Sequence, residues 1–118
     1  MIQTQTTQLN FTQDQMTAIV NEAKTAAHKA AVDFQNKHGE SGACGFAWTN
    51  IHRVKGNSKL GKMLKQAGVD QDYTRAFSIW NPSGNITQSV DIKEAGAEAA
   101  AAVFRKHGFE AYAGSRLD

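Results

Sequence analysis

The sequence predicts one α/β or α+β domain, in which a three-stranded sheet packs with three helices. The chain has 118 residues, 41% hydrophobic, and a single proline, which is the size and composition of one globular domain. Three segments with apolar residues at helical spacing alternate with three short stretches rich in aromatic and β-branched residues. The predicted order is therefore α-β-α-β-α-β across residues 1–118, with residues 1–10 polar and frayed.

The first helix has the clearest boundaries. Thr12 is followed three residues later by Gln15, the spacing of a capping box, and His38 is followed by Gly39, which favours a left-handed stop. Small side chains dominate its apolar stripe, so another element can approach closely. That stripe comprises Met16, Ile19, Val20, Ala23, Ala27, Ala30, Ala31 and Phe34.

The first strand is predicted from Cys44 to Val54, because the stretch is dense in aromatic and β-branched residues. Side chains alternate between the two faces of a strand, which gives this one two different faces. One carries Phe46, Trp48, Asn50 and His52, and the other carries Ala47, Thr49, Ile51 and Arg53. If the first face is covered, its aromatic residues are core; if it is open, it offers a stacking surface.

A short helix is predicted over residues 58–67, capped by Ser58, and a second strand over residues 74–81. In that strand Phe77 and Ile79 share one face, while Ser78 and Trp80 share the other.

A third helix is predicted to begin near Asp91, whose carboxylate can cap it, and to end at His107 before Gly108. A third strand is predicted over residues 109–113, with residues 115–118 as a tail. The helix between the second and third strands is long enough for a parallel crossover.

The positive charge of the chain is concentrated in residues 53–75. This segment carries six Lys or Arg against two Asp or Glu, whereas the formal net charge of the whole chain is +2. Such a cluster is either a solvated face or the footprint of an anionic partner. The anionic-partner interpretation assigns phosphate binding to six residues: Arg53, Lys55, Asn57, Ser58, Lys59 and Lys62.

Within this segment, Gly56 to Lys62 matches the start of a phosphate-binding loop, G-x-x-x-x-G-K. The position that should hold a magnesium-binding Ser or Thr is Met63, and apolar residues at helical spacing begin inside the supposed loop. A nucleotide triphosphatase is therefore not predicted. A simpler anion site at the start of a helix stays open, as does the alternative that these lysines only solubilise the surface.

Two tryptophans could supply a stacking surface beside these cations. Trp48 lies in the first predicted strand and Trp80 ends the second, where Asn81 follows. An aromatic ring beside amides and basic groups suits a nucleotide base or a single-stranded nucleic acid. Asn81 and Arg116 are the predicted auxiliary residues.

The sequence contains no clear pattern for catalysis or for metal binding. Cys44 is the single cysteine, and the histidines lack the spacing of metal ligands, so we predict no catalytic residue, no metal and no cofactor. A small enzyme using Cys44 and a histidine is a third hypothesis. No apolar run is long enough to cross a bilayer and the N-terminus lacks a signal sequence, so a cytoplasmic protein is expected.

The stretches ACGFAW, GNSKLGK, WNPSG and AYAGSRLD, over residues 43–118, resemble small uncharacterised proteins of tailed bacteriophages and their environmental relatives. The resemblance implies an accessory protein in the cytoplasm of a bacterial host, and it implies no activity or site residues.

The first functional hypothesis is a non-enzymatic binding module for a phosphate-bearing partner, either a nucleotide or a nucleic acid. The alternative is a protein-interaction or inhibitor module, in which the alanine-rich helix faces contact a host protein or a second copy of the chain.

Overall fold

The computed structural model describes residues 9–40 and 42–118. Most of the predicted frayed segment, residues 1–10, lies outside these ranges. The elements run α1 (Gln13–His38), β1 (Gly45–His52), α2 (Lys59–Gln66), β2 (Asp70–Gln71), β3 (Phe77–Trp80), α3 (Val90–Lys106) and β4 (Glu110–Leu117).

The helix starts follow from local capping. Thr12 caps α1 and forms both bonds of the capping box with Gln15, as predicted. Ser58 caps α2 by accepting a hydrogen bond from the Gly61 amide, also as predicted. The cap of α3 was wrongly assigned to Asp91, because Ser89 accepts the hydrogen bond from the Ile92 amide and the helix begins earlier.

The sheet has four strands in the order β2-β3-β1-β4, and every neighbouring pair is antiparallel. The prediction of three strands was wrong, because the two-residue β2 is too short to leave a pattern in the sequence. The crossover from β3 through α3 does return parallel to β3, but β1 lies between the two strands. From β1 onward the element order is β-α-β-β-α-β, that of the split β-α-β motif.

Two strand boundaries also differ from the prediction. β3 begins only at Phe77 because residues 72–76 form a turn, in which the Asp72 amide donates to the Ala76 carbonyl. β4 extends to Leu117 instead of ending near Ala113, since it pairs with β1 along its whole length from Glu110 to Leu117.

Helix α3 packs on β1 and β4 on one side of the sheet, here called the inner face, and α1 packs on α3, so that the buried residues of both helices and of this face form one core. The residues of the inner face are Ala47, Thr49, Ile51, Phe77, Ile79 and Ala111, all buried. Three alanines of α1 and three of α3 are buried as well: Ala23, Ala27, Ala31, Ala97, Ala100 and Ala101. A side chain at Gly96 of α3 would meet the Ala27 carbonyl of α1 at 3.1 Å. Small residues thus let the two helices approach closely. The result is one mixed α/β domain.

Candidate functional site

The opposite side of the sheet, here called the outer face, remains in contact with solvent. It carries Phe46, Trp48, Asn50, His52, Ser78, Trp80 and Tyr112. Strand alternation places these residues on the side away from the helices, as the pattern predicted for β1 and β3. Trp80 is 56% exposed and Tyr112 51%. Phe46 and Trp48 of the first strand are themselves half-buried and lie outside the core cluster, so the interpretation of that face as core was wrong.

Trp48 and Trp80 are direct cross-strand partners on the two central strands. Their rings are parallel to within 2°, with centroids 5.6 Å apart. A base between them would need about 7 Å, twice the ~3.5 Å contact distance of carbon atoms. The two rings are therefore too close together for a flat ligand to insert between them.

Gly114 of β4 explains why Trp48 can lie flat. It pairs with Trp48 on the other side of β1, and a Cβ atom at this position would lie 2.5 Å from the indole nitrogen. Only glycine leaves room for the ring, so the indole covers the backbone of β4. The aromatic surface thereby extends from β3 across β1 to β4.

Phe46 continues the aromatic surface and carries two cations. Its ring centroid is 5.5 Å from that of Trp80, with the guanidinium of Arg116 at 5.3 Å and the Lys93 ammonium at 5.2 Å. Both cations are within cation–π distance of the ring. Lys93 also donates to the Gly45 carbonyl at 2.8 Å. Positive charge therefore borders the aromatic surface on the side of β4 and α3.

A groove of about 490 Å³ lies over the tryptophan pair. We call it the aromatic groove. Asn50 and Ser78 form part of its floor, and their side chains have no hydrogen-bond partner among residues 9–40 and 42–118, so both are available to a ligand. The groove is lined by Trp48, Asn50, Asp72, Tyr73, Thr74, Ser78, Trp80 and Arg116.

The loop between β2 and β3 forms one wall of the groove. The Asp72 carboxylate accepts from the Thr74 hydroxyl at 2.5 Å, the Thr74 amide at 2.8 Å and the Ala76 amide at 3.2 Å. These bonds hold the pKa of Asp72 below its ordinary value, and the bond from the Thr74 hydroxyl has the largest effect. The ionised carboxylate is thus committed to shaping the loop, which presents Tyr73 98% exposed.

The six residues of the predicted anion site do not converge. Lys55 and Asn57 line a cleft of about 530 Å³, which we call the basic cleft, together with Lys65, Gln71 and Arg75. Arg53, Ser58 and Lys59 border a separate pocket of about 140 Å³, and Lys62 is exposed on α2.

Two of these residues have their functional atoms engaged within the chain. Arg53 forms an ion pair with Glu110 at 2.6 Å. The Ser58 hydroxyl donates to the Lys55 carbonyl at 2.6 Å while it caps α2. Gly61, the second glycine of the phosphate-loop pattern, lies inside α2, where a Cβ would be 2.1 Å from the Lys55 carbonyl oxygen. Its role is close packing of the helix on the preceding turn.

The two predicted auxiliary residues, Asn81 and Arg116, do not lie at the same site either. Arg116 lines the aromatic groove, whereas the Asn81 amide donates to the Asn85 carbonyl at 3.0 Å and organises the turn after β3. Cys44 is exposed and unpaired with another cysteine. No cluster of potential metal ligands occurs in the part of the chain that the structure describes.

Sequence reasoning missed several residues that the fold brings to these sites. Asn50 was placed on the correct strand face but not included among the predicted site residues. Thr74 and Arg75 were assigned to a strand, and Asp72 and Tyr73 were not considered for the site. The D-Y-T sequence, in which an aspartate precedes threonine by two residues, is an Asx-turn signal that could have identified this loop.

Comparisons with protein families, with curated proteins and with solved structures find no match to this chain. The resemblance to phage proteins thus stays a prediction. None of the helices in the described ranges has the length and apolarity needed to cross a bilayer. A function for this chain has to be argued from the outer face and the clefts beside it.

Proposed function

We propose that the protein binds single-stranded nucleic acid on the outer face of its sheet, with bases stacked on Trp80 and Trp48. The observation that carries this proposal is the parallel tryptophan pair on the two central strands, with Trp80 more than half exposed. Solvent-exposed aromatic rings on a protein surface are what bases stack on, and each such contact is worth about 1–3 kcal/mol.

The surroundings of the pair favour a polyanion over an apolar partner. Arg116 and Lys93 border the aromatic row, and Asn50 and Ser78 offer free polar groups where the edge of a stacked base would lie. The one carboxylate that lines the aromatic groove, that of Asp72, is occupied by hydrogen bonds from its own loop. An amide can both donate to and accept from a base edge.

A single strand suits this surface better than a duplex. In a duplex the bases are paired and stacked on each other, so their faces are not accessible to protein rings. Sequence-tolerant binding of single strands instead combines aromatic platforms with a positively charged path. RNA-binding domains with a four-stranded sheet also stack bases on aromatic residues of that sheet, an analogy of architecture that adds no residue role here.

The alternative, a contact through the alanine-rich helix faces, has no structural observation in its favour. Ala23, Ala27 and Ala31 of α1 and Ala97, Ala100 and Ala101 of α3 are fully buried within the chain. These faces are occupied by the packing of the two helices and the sheet. A free surface for another protein would have to lie elsewhere.

Quenching of intrinsic fluorescence tests the proposal, because the chain has two tryptophans and both lie in the aromatic groove. Oligothymidylate and oligouridylate of about 12 nucleotides, within the range bound by small single-strand binding folds, are titrated at low salt. We expect quenching by both oligomers, weaker binding of a mononucleotide and weaker binding of a duplex. Equal affinity for the duplex, or no binding by any of them, would contradict the proposal.

Trp80→Ala is the decisive variant, with Ile86→Ala as its matched control. Loss of one stacking platform costs about 1–3 kcal/mol, so we expect the affinity to fall by about five- to more than one hundredfold. Ile86 is 99% exposed and does not line the aromatic groove, so its removal should leave affinity unchanged. Anisotropy of a labelled oligonucleotide measures both variants without relying on tryptophan emission.

A further inference from the structure

The basic cleft lies beyond the loop that walls the aromatic groove. Val54 and Lys55 follow β1, Lys65 lies in the last turn of α2, and Gln71 and Arg75 flank the turn between β2 and β3. Its volume is about 530 Å³, so it can admit a group the size of a phosphodiester with its hydration.

Three cations from three different elements line this cleft. Lys55, Lys65 and Arg75 take part in no ion pair within residues 9–40 and 42–118, and no carboxylate lines the cleft. Elsewhere in the same ranges, Lys29, Arg53 and Lys106 each have a carboxylate partner. Unneutralised positive charge in a concave site attracts an anion.

The backbone of Arg75 is held in place at the rim of the cleft. Its φ of 70° lies in the left-handed region, where a non-glycine residue is strained. The Arg75 backbone amide donates to the Asp72 carbonyl at 2.9 Å. The Arg75 carbonyl accepts from the side-chain amide of Gln71 at 2.8 Å. These two bonds fix the start of the arginine side chain beside the Gln71 amide.

One short loop joins the two sites. Asp72, Tyr73 and Thr74 line the aromatic groove, and Arg75, the next residue, lines the basic cleft. The loop follows β2, which is the edge strand on that side of the sheet. A bound nucleic acid that leaves the groove across this loop therefore reaches the cleft. Tyr73, two residues before Arg75 in this loop, is almost fully exposed.

We propose that the basic cleft binds backbone phosphates of the same nucleic-acid strand whose bases stack on the outer face, through Lys55, Lys65 and Arg75 with Asn57 and Gln71 as amide donors. This inference rests on the proposed function. Its ligand class is a phosphodiester chain that extends beyond the stacked bases. Short strands fill the groove alone, and longer strands fill the groove and the cleft.

The test compares the salt dependence of binding for oligothymidylates of about 4, 8 and 12 nucleotides, a range that spans small single-strand sites. For a single strand, the slope of log K against log salt changes by about 0.7 for each phosphate neutralised. We expect the slope to steepen as the oligomer becomes long enough to reach the cleft. A slope that does not change with length would overturn the inference.

The variant Lys65→Gln/Arg75→Asn removes two cleft cations. Asn tolerates a left-handed backbone, so the loop should keep its conformation. For the longest oligomer we expect the slope to become shallower by about 1.4, which corresponds to the loss of two phosphate contacts. For the shortest oligomer we expect no change in slope. The matched control is Lys37→Gln, since Lys37, like Lys65, is an exposed lysine in the last turn of a helix.

The outcomes separate this inference from the proposed function. Tryptophan quenching by the short oligomer in the double variant, together with an unchanged salt slope for the long one, would overturn the cleft assignment and leave stacking intact. An equal loss of affinity in Lys37→Gln would also overturn it, because the effect would then be one of net charge.

Discussion

The two faces of β1 reverse the usual distribution of side-chain size. The inner face carries Ala47, Thr49 and Ile51, all no more than 1% exposed, whereas the outer face of the same strand carries Phe46 and Trp48. Small residues suffice inside because the alanine-rich helix α3 approaches β1 closely. The largest rings remain at the solvent-facing side, where part of their apolar surface gains nothing from folding.

This difference separates residues that stabilise the fold from residues that are available to a ligand. The inner face is complete in itself, and even its polar residue is satisfied, since the Thr49 hydroxyl donates to the Ala97 carbonyl at 2.8 Å. On the outer face, the Asn50 amide and the Ser78 hydroxyl have no hydrogen-bond partner within the described ranges, and the aromatic rings keep surface open to solvent. A contiguous exposed aromatic patch of this kind marks a binding surface more often than an isolated exposed ring does.

The largest expected effect comes from the inner face. Phe77 is completely buried at the centre of the core, and Phe77→Ala should lower the free energy of unfolding by about 3–5 kcal/mol, through lost burial and the cavity left behind. Trp80 lies three positions further along β3, on the outer face, and its replacement by Ala should cost about 1 kcal/mol or less. Urea unfolding of both variants measures the contrast, and similar losses would show that the outer face is also core.

Gly114→Ala is expected to have a smaller effect, confined to the outer face. The new methyl group would displace the Trp48 indole, and because the ring can move toward solvent we expect a loss of about 1 kcal/mol, the low end for overpacking. The tryptophan emission spectrum should change as well, because the parallel arrangement with Trp80 is disturbed.

A double-mutant cycle makes this prediction specific. In a Trp48→Ala background the methyl group at position 114 has no ring to displace, so the cost of Gly114→Ala should disappear. A cost that persists in that background would mean that the glycine is required by the backbone of β4 and not by the indole. Chemical unfolding of the four proteins in the cycle provides the measurement.

The smallest effect is expected at the loop between the two sites. The pKa of Asp72 is lowered by its bond from the Thr74 hydroxyl and by the two amide bonds, so its stabilising contribution is present above the ordinary pKa of 3.8 and is lost as pH falls below it. Asp72→Ala should therefore be slightly less stable than the parent at neutral pH, and the difference should vanish in acid. Thermal unfolding across pH measures it, and a difference that grows in acid would contradict this sign.

Local signals predicted much of the fold. The cap of α1 by Thr12 and Gln15, the cap of α2 by Ser58 and the alternation along β1 depend on neighbouring residues, and each was predicted correctly. The number of strands was not, because β2 exists only through its pairing with β3. The length of β4 was underestimated for the same reason, since residues such as Gly114 have low strand propensity and are held by β1.

For the aromatic groove and the basic cleft, too, some features followed from the sequence and others only from the tertiary structure. Sequence alone determined that Trp48 and Trp80 lie on strands beside polar residues, that positive charge is concentrated in residues 53–75, and that Met63 excludes a magnesium-binding phosphate loop. Tertiary structure decided which cations converge. It brought Lys55 together with Lys65 and Arg75, and it paired Arg53 with Glu110.

Only the tertiary structure decided that the aromatic face of the sheet is open. Alternation specifies which residues share a face, but a sheet face is buried only if another layer has apolar surface to cover it. Here α3 packs on the inner face, α1 packs on α3 through their buried alanines, and α2 packs on α1, so all three helices share one core on that side of the sheet. That distribution of helices leaves Trp48 and Trp80 at the surface.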